Sequence, residues 1–254
     1  MTTPSSAQHH DLDGRVAIIT GAGTGIGAAT ARTLSDRGAS VALLGRRGDR
    51  LAEVADAIDG LVVPVDVSDP DDLAHAFSTV REQLGVADIV VANAGAMLAA
   101  PFEQADRAEW RRMVDVNLMG VIDTAREAVP GLLATAADGR PSDLVLISSV
   151  GAHIVFPEYA IYAATKAAVT QLSRNLRAEL GPRGVRVHAI EPGMTESDLG
   201  LDMASASGRD FLADFKRDNP PIPASAIAET IAWSVALPPA VNAALLEVLP
   251  TIQG

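Results

Sequence analysis

Short apolar runs recur along this chain with helix-patterned segments between them, and that alternation is the strongest constraint on its fold. The runs are residues 16–20, 41–44, 61–66, 87–92, 144–148, 185–190 and 245–249. Short, nearly unbroken apolar runs of this kind read as strands covered on both faces. The intervening segments 25–37, 47–58, 70–84, 107–136, 159–180 and 225–237 carry apolar residues at helical spacing, with an irregular break expected at Pro130. Strand, turn and helix repeating in this way predict parallel crossover units. The expected architecture is α/β: a doubly wound parallel sheet flanked by helices on both faces. No Gly-, Ser- or Pro-rich linker divides the chain, so residues 12–254 read as one domain and residues 1–11 as a flexible lead-in.

Composition narrows the partners. Aromatic residues are only 4% against 48% hydrophobic residues, so the core must be built from Ala, Val, Leu and Ile. The net charge of −12 repels nucleic acid and anionic membranes. There is no cysteine, which excludes disulfides, thiolate metal sites and cysteine nucleophiles. The polar start lacks the pattern of a secretory signal, and no apolar run is long enough to span a bilayer, so the expected setting is the cytoplasm. His9 and His10 read as solvent-exposed. His75, His153 and His188 are scattered without a carboxylate arrangement, and no metal site is expected.

Between the first strand and the first helix lies Thr20-Gly21-Ala22-Gly23-Thr24-Gly25-Ile26-Gly27. Glycines permit a tight turn and close backbone approach to a pyrophosphate, while the helix start supplies unpaired N–H groups and a positive dipole end. No Lys-Ser or Lys-Thr pair follows Gly25, which argues against a nucleotide triphosphate loop. The loop is therefore read as a dinucleotide site formed by Gly21, Gly23, Thr24, Gly25, Ile26 and Gly27. The second strand ends in Arg46-Arg47, where an acidic residue would accept bonds from the adenosine ribose. Guanidinium groups there favour a ribose phosphate, hence NADP(H), with NAD(H) possible. Asp66, followed by Val67, could meet the adenine edge, and Asn93-Ala94-Gly95 forms a backbone platform beside the cofactor.

Tyr162 and Lys166 are four residues apart and share one helix face. Tyrosine is a poor base at its ordinary pKa of about 10. A nearby ammonium would favour the phenolate and make proton exchange near neutrality feasible. Ser149, directly after a strand, could bond a substrate oxygen and place it against Tyr162. Asn117 could support a water joining Lys166 to solvent. Each residue alone has an ordinary explanation as a surface pair, a strand-end hydroxyl or a helix brace. Their joint order around a dinucleotide fold carries the case.

On these residues the chain resembles the short-chain dehydrogenase/reductase family in its single-domain, Rossmann-like form. The matching features are the Thr20 to Gly27 loop, Asp66, Asn93-Ala94-Gly95, Asn117, Ser149, Tyr162 with Lys166, and Pro192-Gly193. The resemblance implies that Tyr162 is the general acid and base, that Lys166 lowers its pKa and holds the ribose, and that Ser149 binds the substrate oxygen. It further implies that Asn117 completes a proton relay, that Pro192, Gly193 and Thr195 lie against the cofactor, and that Arg46 recognises the 2′-phosphate. A homotetramer or homodimer is also implied, built on the long helix after Trp110 and the helix of Tyr162. Ala92 stands where the family often has asparagine, and Glu191 does likewise. The ending Pro250 to Gly254 lacks the frequent Asp-Gly-Gly stretch. With Glu191-Pro192-Gly193, that ending is similar to a branch of broad-specificity NADP-dependent alcohol or aldehyde reductases.

The expected reaction is hydride transfer between NADP(H) and an alcohol, ketone or aldehyde. A regulatory protein that senses the dinucleotide without turnover is the alternative. Substrate-facing residues are expected at Ser149, Gly151, His153, Tyr159, Tyr162 and Met194, with Met97, Val150, Val155 and Phe156 nearby. For His153 the favoured reading is instead a structural one, closing a loop hydrogen bond. Residues 194–223, with Met203, Phe211 and Phe215 among charged residues, read as a segment covering substrate.

Overall fold

A computed structural model describes residues 11–253. The lead-in read from the sequence, with His9 and His10, lies outside them except for Asp11, whose carboxylate accepts two bonds from Arg37 at 2.9 and 2.7 Å. The strands are β1 Val16–Thr20, β2 Ser40–Gly45, β3 Leu61–Pro64, β4 Ile89–Ala92, β5 Asp143–Ile147, β6 Arg186–Pro192 and β7 Leu245–Val248. The helices are α1 Gly25–Asp36, α2 Gly48–Ala55, α3 Pro70–Gln83, α4 Arg107–Val114, α5 Gly120–Ala137, α6 Ala160–Leu180, α7 Ala206–Asp218 and α8 Ala224–Val235. Among the described residues the strands form one seven-stranded sheet in the order β3-β2-β1-β4-β5-β6-β7, with every pair parallel. Winding reverses between β1 and β4, so the loops leaving their carboxyl ends part and open a crevice there.

Alternate residues of each strand face opposite layers. Ile19, Val91, Val145 and Ile190 pack against Ala31 and Leu34 of α1 and Ile227 and Ile231 of α8. Ile18, Val90, Leu144 and Leu146 turn to the other side, against Leu73 and Val80 of α3, Val121 and Ala125 of α5, and Val169 of α6. Each buried Val, Leu or Ile contributes roughly 1.5–3 kcal/mol, so these two layers dominate the stability. No described helix is long and apolar enough to cross a membrane.

Local signals set the helix starts. Asp69 accepts bonds from the N–H groups of Asp71 and Asp72 with Pro70 in the first turn, and Asp106 caps α4 through Ala108. The long helix expected over 107–136 is interrupted at a different place from the one anticipated. Pro130 lies inside α5 on an exposed face, where its missing N–H exposes a carbonyl to water. The irregularity falls instead at a π-helical turn, Asp115–Met119, which carries the buried Asn117.

A buried ion network ties the amino ends of the strands together, at the end of the sheet opposite the crevice. Arg15 donates to Asp88 at 2.7 Å and to Asp143 at 2.8 Å. Arg186 donates to Asp143 at 2.9 Å and to the carbonyl of Val235 at the end of α8 at 2.8 Å. The ring of His188 lies 2.9 Å from the same Asp143 carboxylate. Asp143 is held below the usual carboxylate range: burial pushes it up, but the bonds and charges of His188 and Arg186 outweigh that.

Candidate active site

A cavity of about 800 Å³ opens at the carboxyl ends of the strands and runs from the glycine loop to the helix of Tyr162. At one end, Gly21 and Gly25 adopt φ of 66° and 53°, which L side chains rarely adopt. A Cβ at Gly27 would lie 2.3 Å from the Gly21 carbonyl oxygen, so the first turn of α1 can pack here only as glycine. Asn93 clamps this loop, its amide donating to the carbonyls of Thr20 at 2.9 Å and Gly21 at 3.3 Å. The Thr20 hydroxyl in turn accepts from the backbone of Asn93 and Ala94, both at 3.0 Å.

Thr24 heads α1 without making a side-chain cap bond, so the first N–H groups of the helix are left for another acceptor. Arg46 and Arg47 are exposed on the cavity wall at the end of β2, and Arg47 reaches the Thr24 hydroxyl at 3.4 Å. A glycine cradle, an uncapped helix start and two guanidinium groups fit an anionic dinucleotide. Asp66 and Val67 line the same wall. Burial raises the Asp66 carboxyl, but hydrogen bonds from Ser68 and the charges of Arg46 and Arg112 hold it below its ordinary range.

At the other end, Tyr162 and Lys166 project from α6 and Ser149 from the loop after β5. The Ser149 hydroxyl accepts from the Gly151 N–H at 3.0 Å. Lys166 is buried, and its Nζ donates to the Ile147 carbonyl at 2.9 Å while lying 5.8 Å from the centre of the Tyr162 ring. Burial pulls its pKa down to about 8. Burial also raises the Tyr162 phenol, opposed by a hydrogen bond with Ser149. The ammonium was expected to favour the phenolate; burial works in the other direction, and Nζ is engaged by the Ile147 carbonyl.

Gly21, Gly23, Thr24, Gly25, Ile26, Arg46, Arg47, Asp66, Val67, Asn93, Ala94, Gly95, Ser149, Gly151, Tyr159, Tyr162, Lys166, Pro192, Gly193, Met194 and Thr195 all line this one cavity. Gly27, Asn117 and His153 do not. Gly27 packs behind the loop. Asn117 accepts from the Ala96 N–H at 2.7 Å and donates to the Ala96 carbonyl at 2.8 Å and Thr165 at 3.2 Å. It thereby joins the loop after β4 to α6. A Cβ at Gly95 would lie at ordinary contact distance from both groups, 3.6 Å from Asn117 Oδ1 and 3.8 Å from Lys166 Nζ, which places this residue between them.

His153 turns to the buried Glu191, 2.9 Å away, and Glu191 accepts from Thr170 at 2.5 Å. Glu247 completes a group whose ligating atoms lie within 4.8 Å of one another, an arrangement hidden by the sequence separation of its members. Val155, expected near the pocket, is 90% exposed because its loop turns outward.

Two features escaped the sequence reading. Gln253 accepts from the Met194 N–H at 2.8 Å and fills the space left by Gly193. The segment after β6 is pinned at its base, where Thr195 and Ile222 form a parallel bridge and the Ile222 N–H donates to Met194 at 3.0 Å. Neither leaves a local pattern, since each depends on residues far apart in the chain.

Comparison with known proteins accords with this geometry. The short chain dehydrogenase family profile matches residues 15–207. Sulfoacetaldehyde reductase 2 of Chromohalobacter salexigens is 35% identical over 245 residues, covering 94% of this chain and 95% of that protein. The alcohol dehydrogenase of the archaeon Thermococcus sibiricus, solved in complex with 5-hydroxy-NADP, superposes with a TM-score of 0.83 at 28% identity, covering 94% of this chain and 98% of that one. The 3-ketoacyl-(acyl-carrier-protein) reductase of Brucella melitensis, solved with NADH, gives 0.84 at 30% identity, again covering 94% and 98%. With a parallel sheet, a glycine-lined crevice and a family match over most of its length, the chain belongs to the short-chain dehydrogenase family of oxidoreductases.

Proposed function

We propose that the protein is an NADP(H)-preferring reductase of aldehydes or ketones, also able to oxidise the corresponding alcohols, with Tyr162 as the general acid and base. The observation that carries this reading is the placing of Ser149 and Tyr162 on the wall of a cavity that continues to the glycine loop, with Lys166 buried one turn along α6. When bound, the nicotinamide supplies or accepts the hydride. The protein's own groups do the rest. Ser149 and Tyr162 hold the substrate oxygen, and Tyr162 gives it a proton during reduction and takes one back during oxidation. Lys166 holds the ribose and brings positive charge under the phenol, and Asn117 braces the loop that faces it.

Burial keeps Tyr162 protonated near neutrality, the state that reduction needs. Arg46, with Arg47 beside it, would pair with a 2′-phosphate, which favours NADP(H), though NAD(H) remains a usable cofactor on this reading. Solved relatives carry a ligand of each kind. The name of the sulfoacetaldehyde reductase supports carbonyl reduction as the direction. Residues 194–223 are proposed to close over the substrate from their pinned base, and the family resemblance supports a dimer or tetramer, testable by light scattering.

The test is NADPH and NADH oxidation with a panel of aldehydes and ketones, using wild type and Tyr162→Phe. NADPH turnover that falls at least about a hundredfold in the variant, with dinucleotide binding kept, is the expected result. Undiminished turnover would remove Tyr162 from the mechanism. Tight dinucleotide binding with no turnover of any carbonyl would favour the sensing protein.

A further inference from the structure

The chain holds five Phe, two Tyr and two Trp. Both tyrosines and three of those phenylalanines, Phe156, Phe211 and Phe215, line the Ser149 end of the cavity. Phe156 meets Phe215 edge-on with centroids 5.4 Å apart, and Phe211 lies 5.7 Å from Tyr159. Tyr159 stands edge-on to Tyr162 at 6.4 Å. Rings on the catalytic side thus face rings carried by α7. In a chain so poor in aromatic residues, this concentration gives the cavity an aromatic wall suited to packing a flat apolar body, rather than a plain continuation of the Ala, Val and Leu core.

The aromatic wall carries an orphaned polar group. Tyr159 is 6% exposed, and its hydroxyl is buried without a hydrogen-bond partner. Burial, with Glu158 nearby, pushes its pKa up to about 12, so it remains a donor at working pH. A buried phenol without an acceptor is unfavourable, and a substrate oxygen packed against this wall would satisfy it.

We propose that the substrate is a ketone or aldehyde with an aromatic ring beside the reacting carbon, packed against the wall formed by Tyr159 and the phenylalanines of α7, and with a second acceptor oxygen bonded by the Tyr159 hydroxyl. The inference rests on the oxidoreductase reading above. The full chain, its Tyr159→Phe variant and its Phe211→Ala variant are assayed with NADPH on 1-phenyl-1,2-propanedione, acetophenone and glyoxylate. Thermal melts and dinucleotide binding check that each variant is folded.

Wild type should favour both aryl ketones over glyoxylate in kcat/KM by on the order of a hundredfold. Phe211→Ala should raise KM for the aryl ketones about tenfold more than it lowers kcat. Tyr159→Phe should reduce kcat/KM for the diketone about tenfold more than for acetophenone. Preference for glyoxylate would overturn the inference while leaving the oxidoreductase reading intact. So would a Phe211→Ala variant unchanged on aryl ketones, and equal losses on both ketones in Tyr159→Phe would overturn the donor role. Dinucleotide binding without turnover of any compound would overturn the inference and the reading together.

Discussion

Lys166 holds its Nζ 5.8 Å from the centre of the Tyr162 ring and 2.9 Å from the carbonyl of Ile147, buried in both directions. Its pKa falls from 10.5 in the unfolded chain to about 8 in the folded one through loss of hydration. A depressed lysine means that the unfolded state binds more protons between these values, so stability attributable to this residue rises with pH from about 8 to 10.5. Lys166→Met should therefore be more stable than wild type at pH 7 in the absence of dinucleotide, by roughly 1–3 kcal/mol. The difference should shrink as pH climbs toward 10. Urea unfolding at several pH values measures it, and a pH-independent difference would contradict the assignment.

Gly27→Ala tests the cradle. Its Cβ would meet a backbone oxygen at 2.3 Å and the Asn93 amide nitrogen at 2.6 Å, and the backbone cannot give way as a side-chain tip can. Dinucleotide affinity should drop at least about tenfold, with stability falling by roughly 1–3 kcal/mol. Gly139→Ala meets nothing within 4 Å, but its φ of 74° makes it a control for backbone strain alone. It should lose stability without losing affinity. Fluorescence titration with NADPH reads the contrast.

Arg46→Ser bears on cofactor choice. A charge-assisted bond to a phosphate is worth about 1.5–3 kcal/mol, so KM for NADPH should rise roughly tenfold to a hundredfold while that for NADH changes little. Steady-state kinetics with both cofactors decide the point. Equal effects on the two would show that Arg46 does not read the 2′ position.

Asp143→Asn probes the opposite end of the sheet. Replacing this carboxylate by a neutral amide removes the buried charge that balances Arg186 and takes one of the two carboxylates from Arg15, and such losses cost about 3–5 kcal/mol. Because its folded pKa is depressed below 3.8, Asp143 contributes stability present above that value and lost as pH falls through the folded pKa. The variant should melt lower at pH 7 and lose less than wild type on acidification below pH 3.8. Turnover per folded molecule should stay within about twofold, since additivity holds between distant sites.

What could be read from the sequence was local. The glycine loop and the Tyr162–Lys166 spacing declare themselves within a few residues, and the alternation of strands and helices fixes the layers. The π-helical turn at Asn117 was missed because it spans only five residues inside an otherwise continuous helical run, too few to read a change of period, and the proline further along drew the break away from it. Gln253 and the His153–Glu191 contact join residues far apart in sequence, so no spacing rule reaches them. The burial that pushes the Tyr162 phenol up was not legible for a related reason: residue spacing tells of a nearby charge but not of how dry the site is.

The Thr195–Ile222 bridge has a bearing on how such enzymes diversify. The family match stops at residue 207, inside the loop that this bridge closes. Between the two pins, Met203 and Leu212 pack into the cluster of Tyr159 and Tyr162, so variation is easiest at the outward-facing positions of the segment. On the proposed reading, a graft of residues 197–221 from another family member that keeps Thr195, Ile222 and the inward-packed Met203, Gly208 and Leu212 is expected to shift substrate preference with dinucleotide binding retained.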